Sequence, residues 1–167
     1  FSGDEVKYFN MNYWINPDRS ELFFAKKVIL VEGQTDKIVL GYLSKKLGIF
    51  KYDYSILECG SKSIIPQFIK LLNAFKLPYI AIYENHFWRT ELEIENSNLK
   101  NHSIQKSINY DFGDFVEFDN DIEEELYSEK RERKNYKNKP FNALKTVSEE
   151  NYIIPAQLEK KIRKIFS

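Results

Sequence analysis

KVILVEGQTD, at residues 27–36, is the stretch of this chain that decides its fold. Residues 28–31 are consecutive apolar side chains, mostly β-branched, and they end abruptly at the carboxylate of Glu32. Apolar residues then recur at helical spacing from Ile38 to Leu47. A short, wholly apolar run followed at once by an amphipathic helix is typical of a buried parallel strand in a βαβ unit. Open α/β sheets bind ligands at the carboxyl ends of their strands, so we expect Glu32 to lie at such a site.

Two further apolar runs repeat this pattern. Residues 54–59 and 77–83 are predicted strands, and the first leads into a helix with an apolar stripe from Ile64 to Phe75. A short alternating run at residues 115–118 fits a last strand. Strands that alternate with helices predict an α/β domain, with a small parallel sheet flanked by helices.

Acidic residues follow two of these strands. Right-handed crossovers keep the strands parallel, so Glu32 and Glu84 are expected to face one crevice. Asp36 lies four residues after Glu32 and can converge on the same cation. Several carboxylates in one crevice repel one another unless a divalent cation neutralises them. The alternative is that Glu32 begins a surface loop and that Asp36 only favours the helix N-terminus.

The segment VEGQTD, at residues 31–36, resembles the first motif of Toprim domains. Toprim domains are the metal-binding modules of type IA and type II topoisomerases, primases and OLD-family nucleases, OLD standing for overcoming lysogenization defect. Residues 16–27 resemble the entry into the Toprim domain of OLD-family proteins specifically. The Gabija anti-phage nuclease subunit belongs to the same group. The resemblance runs from about residue 13 to the end of the chain and implies a Toprim, Rossmann-like α/β fold.

The resemblance also implies a division of the chain. Residues 1–26 are predicted to be an N-terminal arm and lead-in helix, and residues 27–167 the Toprim domain. Within that domain, residues 87–110 are expected to be an insertion and residues 121–167 a C-terminal helical part. Because the chain begins at Phe1, we also expect it to be a fragment of a longer protein.

The third predicted strand departs from the Toprim pattern. Toprim domains carry an Asp-x-Asp pair there that holds the catalytic metal, and in this chain Glu84 and His86 align with the two acids. Glutamate is a suitable ligand for Mg²⁺, whereas histidine suits Mn²⁺ or Zn²⁺ better. The departure leaves three alternatives: a shifted metal preference, a weakened site or an inactive one. A packed surface residue beside Phe87 and Trp88 is an equally good interpretation of His86.

The resemblance implies further site residues towards the C-terminus. OLD-family Toprim domains have an Asp-x-Glu pair that joins a second metal site, and Asp121 and Glu123 match it. Favourable charge at a helix N-terminus is the alternative explanation of both acids. Lys139 matches the lysine of the family's Lys-Pro segment, which stabilises charge during cleavage. Glu32 and Lys139 are therefore the predicted catalytic residues.

The run from Glu129 to Lys139 is densely charged and mostly basic. Arg131, Arg133 and Lys134 are the predicted contacts to nucleic-acid phosphates, although a solvated helix face explains the run equally well. Lys+Arg and Asp+Glu number 25 each, so no overall basic field indicates nucleic acid. DNA must then be bound through a local patch, a metal ion or another domain.

Composition excludes several other classes. An apolar fraction of 43% over 167 residues fits one globular domain and argues against disorder. A single cysteine excludes an internal disulfide and fits a reducing, cytoplasmic setting, and no apolar run approaches a membrane span. The GSKS string at residues 60–63 resembles part of a Walker A loop, but Ser55 and Ile56 stand where the first glycine is needed. We therefore expect Ser61 or Ser63 only to cap the following helix.

The favoured function is a DNA endonuclease domain that depends on Mg²⁺ or Mn²⁺, within an OLD-like, anti-phage ATPase-nuclease. Its expected partners are DNA and an ATPase domain, either upstream or separate, and a homo-oligomer is compatible with the resemblance. The alternative function is a degenerate Toprim module that binds or assembles without cutting, which the Glu84-Asn85-His86 segment favours. A topoisomerase or primase is weaker, because no nucleophilic tyrosine or zinc-ribbon context is identifiable.

Overall fold

A parallel sheet of four strands forms the centre of the described chain. The computed structural model describes residue 22, residues 24–130 and residues 138–167. The strands are β1 (Lys27–Val31), β2 (Tyr54–Glu58), β3 (Tyr79–Glu84) and β4 (Gly113–Phe118). Their order is β2-β1-β3-β4, and every neighbouring pair is parallel. The predicted α/β class and the adjacent, parallel arrangement of the first three strands are confirmed.

Helices cover both faces of this sheet. In chain order they are α1 (Gln34–Lys46), α2 (Ile65–Ala74), α3 (Glu91–Ser107), α4 (Ile122–Glu125), α5 (Lys139–Ser148) and α6 (Ala156–Ile165). Helices α1, α5 and α6 pack on one face, and α2 and α3 pack on the other. None of the helices in the described ranges is long and apolar enough to cross a lipid bilayer.

The two hydrophobic cores explain why β1 is an unbroken apolar run. Ile29 and Val31 point into the core with α1, α5 and α6, whereas Val28 and Leu30 point into the core with α2 and α3. All four side chains are completely buried. Full burial stabilises the fold by about 1.5–3 kcal/mol for each such side chain. A strand covered on both faces therefore has no place for a polar residue until it ends at Glu32.

The segment between β3 and β4 is part of the sheet architecture. Residues 87–110 include α3, which forms the crossover to β4 and buries Ile104 and Ile108 in the second core. Thr90 caps this helix by accepting a hydrogen bond from the amide of Glu93. Whether the segment is an insertion relative to Toprim domains stays a prediction, but here it completes one layer of the fold.

The topology places the acidic residues at one edge of the sheet. β1 and β3 are neighbours, with Leu30 paired to Ala81, so Glu32 and Glu84 emerge side by side. β4 lies next to β3 and leads into α4, whose N-cap is Asp121. The carboxyl edge is therefore built by three strands and the starts of two helices.

Gly113, the first residue of β4, is required by a close approach. It pairs with Tyr79, and a Cβ at position 113 would lie far inside the contact distance of the Tyr79 ring. The ring is fixed in place, because the Tyr79 hydroxyl donates to Asn73 Oδ1 at 2.9 Å and accepts from the Asn109 amide at 3.1 Å.

Substitution of Gly113 by alanine should therefore destabilise the protein through overpacking, by about 1–3 kcal/mol or more. Gly41→Ala is the matched control, because its Cβ would meet Ile56 Cδ1 at an ordinary 4.0 Å inside helix α1. That change should stabilise by about 0.4–1 kcal/mol. Urea denaturation measures both free energies of unfolding. Equal effects of the two substitutions would contradict the packing described here.

Candidate metal centre

Acidic side chains line a cleft of about 440 Å³ at the carboxyl edge of the sheet. The lining residues are Glu32, Gly33, Thr35, Asp36, Glu84, His86, Asp121, Ile122, Glu123 and Lys139. All six side chains predicted to bind metal, together with Lys139, thus surround one space. They come from four separate parts of the chain, which shows that the fold gathers them.

The cleft penalises negative charge. The pKa of Asp36 is raised to about 7, chiefly by burial and also by the carboxylates of Glu32 and Glu123, against a 3.0 Å hydrogen bond from the Gly33 amide that lowers it. Burial also raises the pKa of Glu84 well above its ordinary value, and the nearby carboxylates of Asp36 and Glu32 add to this effect. The positive charge of a bound cation would offset this repulsion, and it would therefore favour the ionised form of each acid.

The donor atoms fit a hard divalent ion, but their coordination shell is not preset. Carboxylate oxygens are the ligands that Mg²⁺ and Mn²⁺ prefer. Among residues 24–130 and 138–167, however, no three acidic, histidine or cysteine side chains are already gathered at metal-ligand spacing. Glu84 Oε1 instead accepts a hydrogen bond of 3.2 Å from the Ile122 amide, and Asp36 accepts one from Gly33. Ion binding would therefore require side chains to exchange protein hydrogen bonds for metal.

His86 lies beside Glu84 in a turn with unusual backbone geometry. Its Nε2 atom is 3.5 Å from Glu84 Oε2, and its φ of 60° falls in the left-handed region. Histidine, asparagine and aspartate are the residues other than glycine that tolerate this region best. His86 therefore faces the cleft, next to the acid with which it was paired in the sequence.

The remaining predicted residues meet cations. Asp121 contacts Arg89, and Glu123 Oε1 is 3.2 Å from the ammonium of Lys139, the first residue of α5. A second metal ion at Asp121 and Glu123 stays a prediction. Arg131, Arg133 and Lys134 lie outside the described residues, so the predicted contact to nucleic acid is not tested.

Lys62 is a site residue that the sequence did not reveal. It is 4% exposed, and its ammonium donates to the Glu84 carbonyl oxygen and, at 2.9 Å, to Ser97 Oγ. Ser97 Oγ and Asn101 Nδ2 donate to the same carbonyl, each at 3.1 Å. Three donors from α3 and the β2–α2 loop thus fix the end of β3, which carries the cleft residue Glu84.

The only signal for Lys62 was the GSKS string at residues 60–63. The predicted capping role of Ser61 or Ser63 is wrong. The N-cap of α2 is Ile64, and no side chain caps the helix. The loop instead serves to place a lysine beneath the acidic cleft.

Comparisons with known proteins add a family to this geometry. Residues 23–85 match the family described as "Overcoming lysogenization defect protein-like, TOPRIM domain". The chain is 26% identical over 72 residues to the "OLD nuclease" of Thermus scotoductus, a match that covers 42% of this chain but 14% of that protein. Its fold is loosely similar to the C-terminal region of the Xanthomonas campestris pv. campestris OLD protein, with 21% identity and a TM-score of 0.45 over 87% of this chain and 80% of that one.

Replacing Lys62 by methionine should lower the free energy of unfolding by about 1.5–3 kcal/mol, because a charge-assisted hydrogen bond and a buried counter-charge are lost. Lys106→Met, an exposed change on α3, is the control and should alter stability by less than about 0.5 kcal/mol. Chemical denaturation compares them. If the two variants were equally stable, Lys62 would not hold the end of β3.

The pKa of Asp36 predicts how pH acts on the metal-free protein. The folded state keeps this proton up to a pH of about 7, while the unfolded chain releases it near 3.8, so the folded state binds more protons between those values. Stability contributed by this group is therefore present below about pH 4 and is lost as the pH rises to about 7. The total loss should be smaller in Glu84→Gln, because the pKa of Glu84 is also raised well above its ordinary value and its ionisation adds a loss of the same sign.

Thermal unfolding in EDTA and in Mn²⁺ measures this prediction. Mn²⁺ at a hundredfold excess over its Kd should add about 2.7 kcal/mol, or about 5–10 °C in Tm for a chain of this size. Glu95→Gln, at an exposed position of α3, is the control for the loss of one carboxylate. Identical pH profiles for Glu84→Gln, Glu95→Gln and the unchanged chain would refute the repulsion at the cleft.

Proposed function

Because residues 23–85 are those of an OLD-type Toprim domain, we propose that the chain is the divalent-metal-dependent, DNA-cleaving domain of an OLD-type nuclease. The observation that carries this proposal is the convergence of Glu32, Asp36 and Glu84 on one cleft at the carboxyl edge of a parallel sheet. Their mutual repulsion supports a cation as the natural occupant, and a nuclease needs a cation to bring a DNA phosphate to such an acidic surface.

The residues of the cleft have distinct roles in phosphodiester hydrolysis. A divalent ion, when bound, would polarise a phosphate oxygen of the DNA and activate a water molecule. Glu32, Asp36 and Glu84 hold that ion, and Mg²⁺ and Mn²⁺ are both suited to these oxygen donors. His86 adds a nitrogen donor that favours Mn²⁺. Lys139, at the rim beside Glu123, offsets negative charge as it develops on the phosphate.

The wider assignment extends the same proposal. Arg131, Arg133 and Lys134 would bind the DNA backbone outside the described residues. The match spans only 14% of the OLD nuclease of Thermus scotoductus, so most of that nuclease lies outside the matched region. We propose that an ATPase domain, fused or separate, regulates cleavage in an assembly that acts against phage DNA.

A non-cutting Toprim module is the second candidate. The observation that favours it is the lack of a preset ligand shell among the described residues, together with histidine at position 86 instead of an acid. A module of this kind would bind DNA or a partner without hydrolysis. The two functions differ in whether Glu32 controls both metal binding and DNA cleavage.

Nicking of supercoiled plasmid by the purified chain tests the nuclease. Cleavage should be faster in Mn²⁺ than in Mg²⁺, because an imidazole suits the softer ion. Glu32→Ala should abolish cleavage in either metal and controls for contaminating nuclease. The double change Glu84→Asp with His86→Asp should raise Mg²⁺-dependent cleavage about tenfold, if the misplaced ligands cost about 1.4 kcal/mol at the transition state.

Calorimetry with Mn²⁺ separates the two candidates. Metal binding that Glu32→Ala removes, together with cleavage, supports the nuclease. If neither the unchanged chain nor the rebuilt variant cuts DNA, and no heat of metal binding is detected, the domain is a binding module.

A further inference from the structure

Arg89 and the backbone of α4 together contact the two carboxylate oxygens of Asp121. Its Nη2 atom lies 2.6 Å from Asp121 Oδ2, and its Nη1 atom lies 2.9 Å from Glu124 Oε1. The other oxygen of Asp121, Oδ1, accepts a hydrogen bond of 3.1 Å from the Glu124 amide and so caps the helix. Both carboxylate oxygens of Asp121 therefore already have donors.

The pairing of Arg89 is buried and costly to break. The side chains of Arg89 and Glu124 are 7% and 2% exposed, and that of Asp121 is 13% exposed. Removing one partner of a buried ion pair leaves an uncompensated buried charge, which strongly destabilises the folded state. An ion that displaced Arg89 from Asp121 would also weaken the hold on Glu124, which water hardly reaches.

The loop that carries Arg89 is fixed to the chain after β4. The amides of Asn85 and Phe87 donate to the carbonyl oxygens of Phe118 and Asp119, at 2.9 and 3.1 Å. The amide of Trp88 donates to Asn120 Oδ1 at 3.1 Å. These bonds fix the backbone of the loop before Arg89, and the side chain of Arg89 is itself buried where it meets Asp121.

We propose that Arg89 takes the place of a second divalent ion at Asp121, so that the cleft binds a single ion at Glu32, Asp36 and Glu84. The inference rests on the proposed function and refines it. Lys139 neutralises Glu123 in the same way, at 3.2 Å. Arg89 is then a positioning residue that holds α4 against the cleft, and Asp121 is a helix cap and ion-pair partner instead of a metal ligand.

Metal stoichiometry tests this inference without reference to cleavage. Mn²⁺ is titrated into the EDTA-treated chain, with calorimetry and electron paramagnetic resonance of free Mn²⁺ as readouts and circular dichroism as a check of folding. The unchanged chain should bind one ion. Asp121→Asn keeps a good N-cap and removes only the charge, so it should still bind one ion with an affinity within about threefold of the original.

Three further variants complete the design. Glu32→Gln should weaken binding at least tenfold, and Glu95→Gln, at an exposed position of α3 that does not line the cleft, should leave it unchanged. Arg89→Gln removes the guanidinium from Asp121 Oδ2 and should add a second, weaker ion. Should Arg89→Gln not fold, Asp121→Asn decides alone.

The outcomes that overturn the inference are distinct from those that overturn the nuclease. The role of Arg89 is refuted if the unchanged chain binds two ions. It is also refuted if Asp121→Asn loses an ion or binds Mn²⁺ ten times more weakly, or if folded Arg89→Gln still binds a single ion. Two ions would leave the nuclease proposal intact. No Mn²⁺ binding in the unchanged chain would refute both proposals together.

Discussion

Repulsion between carboxylates at the ends of adjacent parallel strands is the constraint around which this structure is built. A parallel sheet brings Glu32 and Glu84 to one edge, and burial denies Glu84 most of the surrounding water. The raised pKa values of Asp36 and Glu84 are the result. An acidic cluster of this kind has to be stabilised by cations, by N–H groups or by protons, because unpaired buried charge is costly.

The protein meets this requirement with groups from several elements. Lys62 approaches from the loop before α2, Arg89 from the loop after β3 and Lys139 from the start of α5. Backbone amides contribute as well, since Gly33 donates to Asp36 and Ile122 donates to Glu84. These groups contact the end of β3, Asp121 and Glu123. The negative charge that is not yet balanced by a cation is therefore concentrated at Glu32, Asp36 and Glu84.

The sequence predicted the parts of this arrangement that follow from period and topology. Apolar runs identified the strands, and the handedness of crossovers was sufficient to bring Glu32 and Glu84 together. Two of these cations, Lys62 and Arg89, were missed for a physical reason. They are defined by what they contact across the fold, and a lysine in a polar loop has no local pattern that distinguishes burial from exposure. The capping role of Ser61 or Ser63 failed because tertiary packing of Lys62 determines that loop.

The residue at position 86 affects the total negative charge of the cleft. The left-handed backbone there accepts aspartate, asparagine or histidine with similar ease, so the conformation does not explain the histidine. The difference is chemical: an imidazole keeps a nitrogen atom beside Glu84 and, unlike an aspartate, adds no negative charge to a cluster of acids that already repel one another. With Arg89 at Asp121 and Lys139 at Glu123, fewer charges remain for divalent ions to neutralise. Loss of an acid at position 86 and the cations at the second acid pair therefore act in the same direction, towards a cleft suited to one ion.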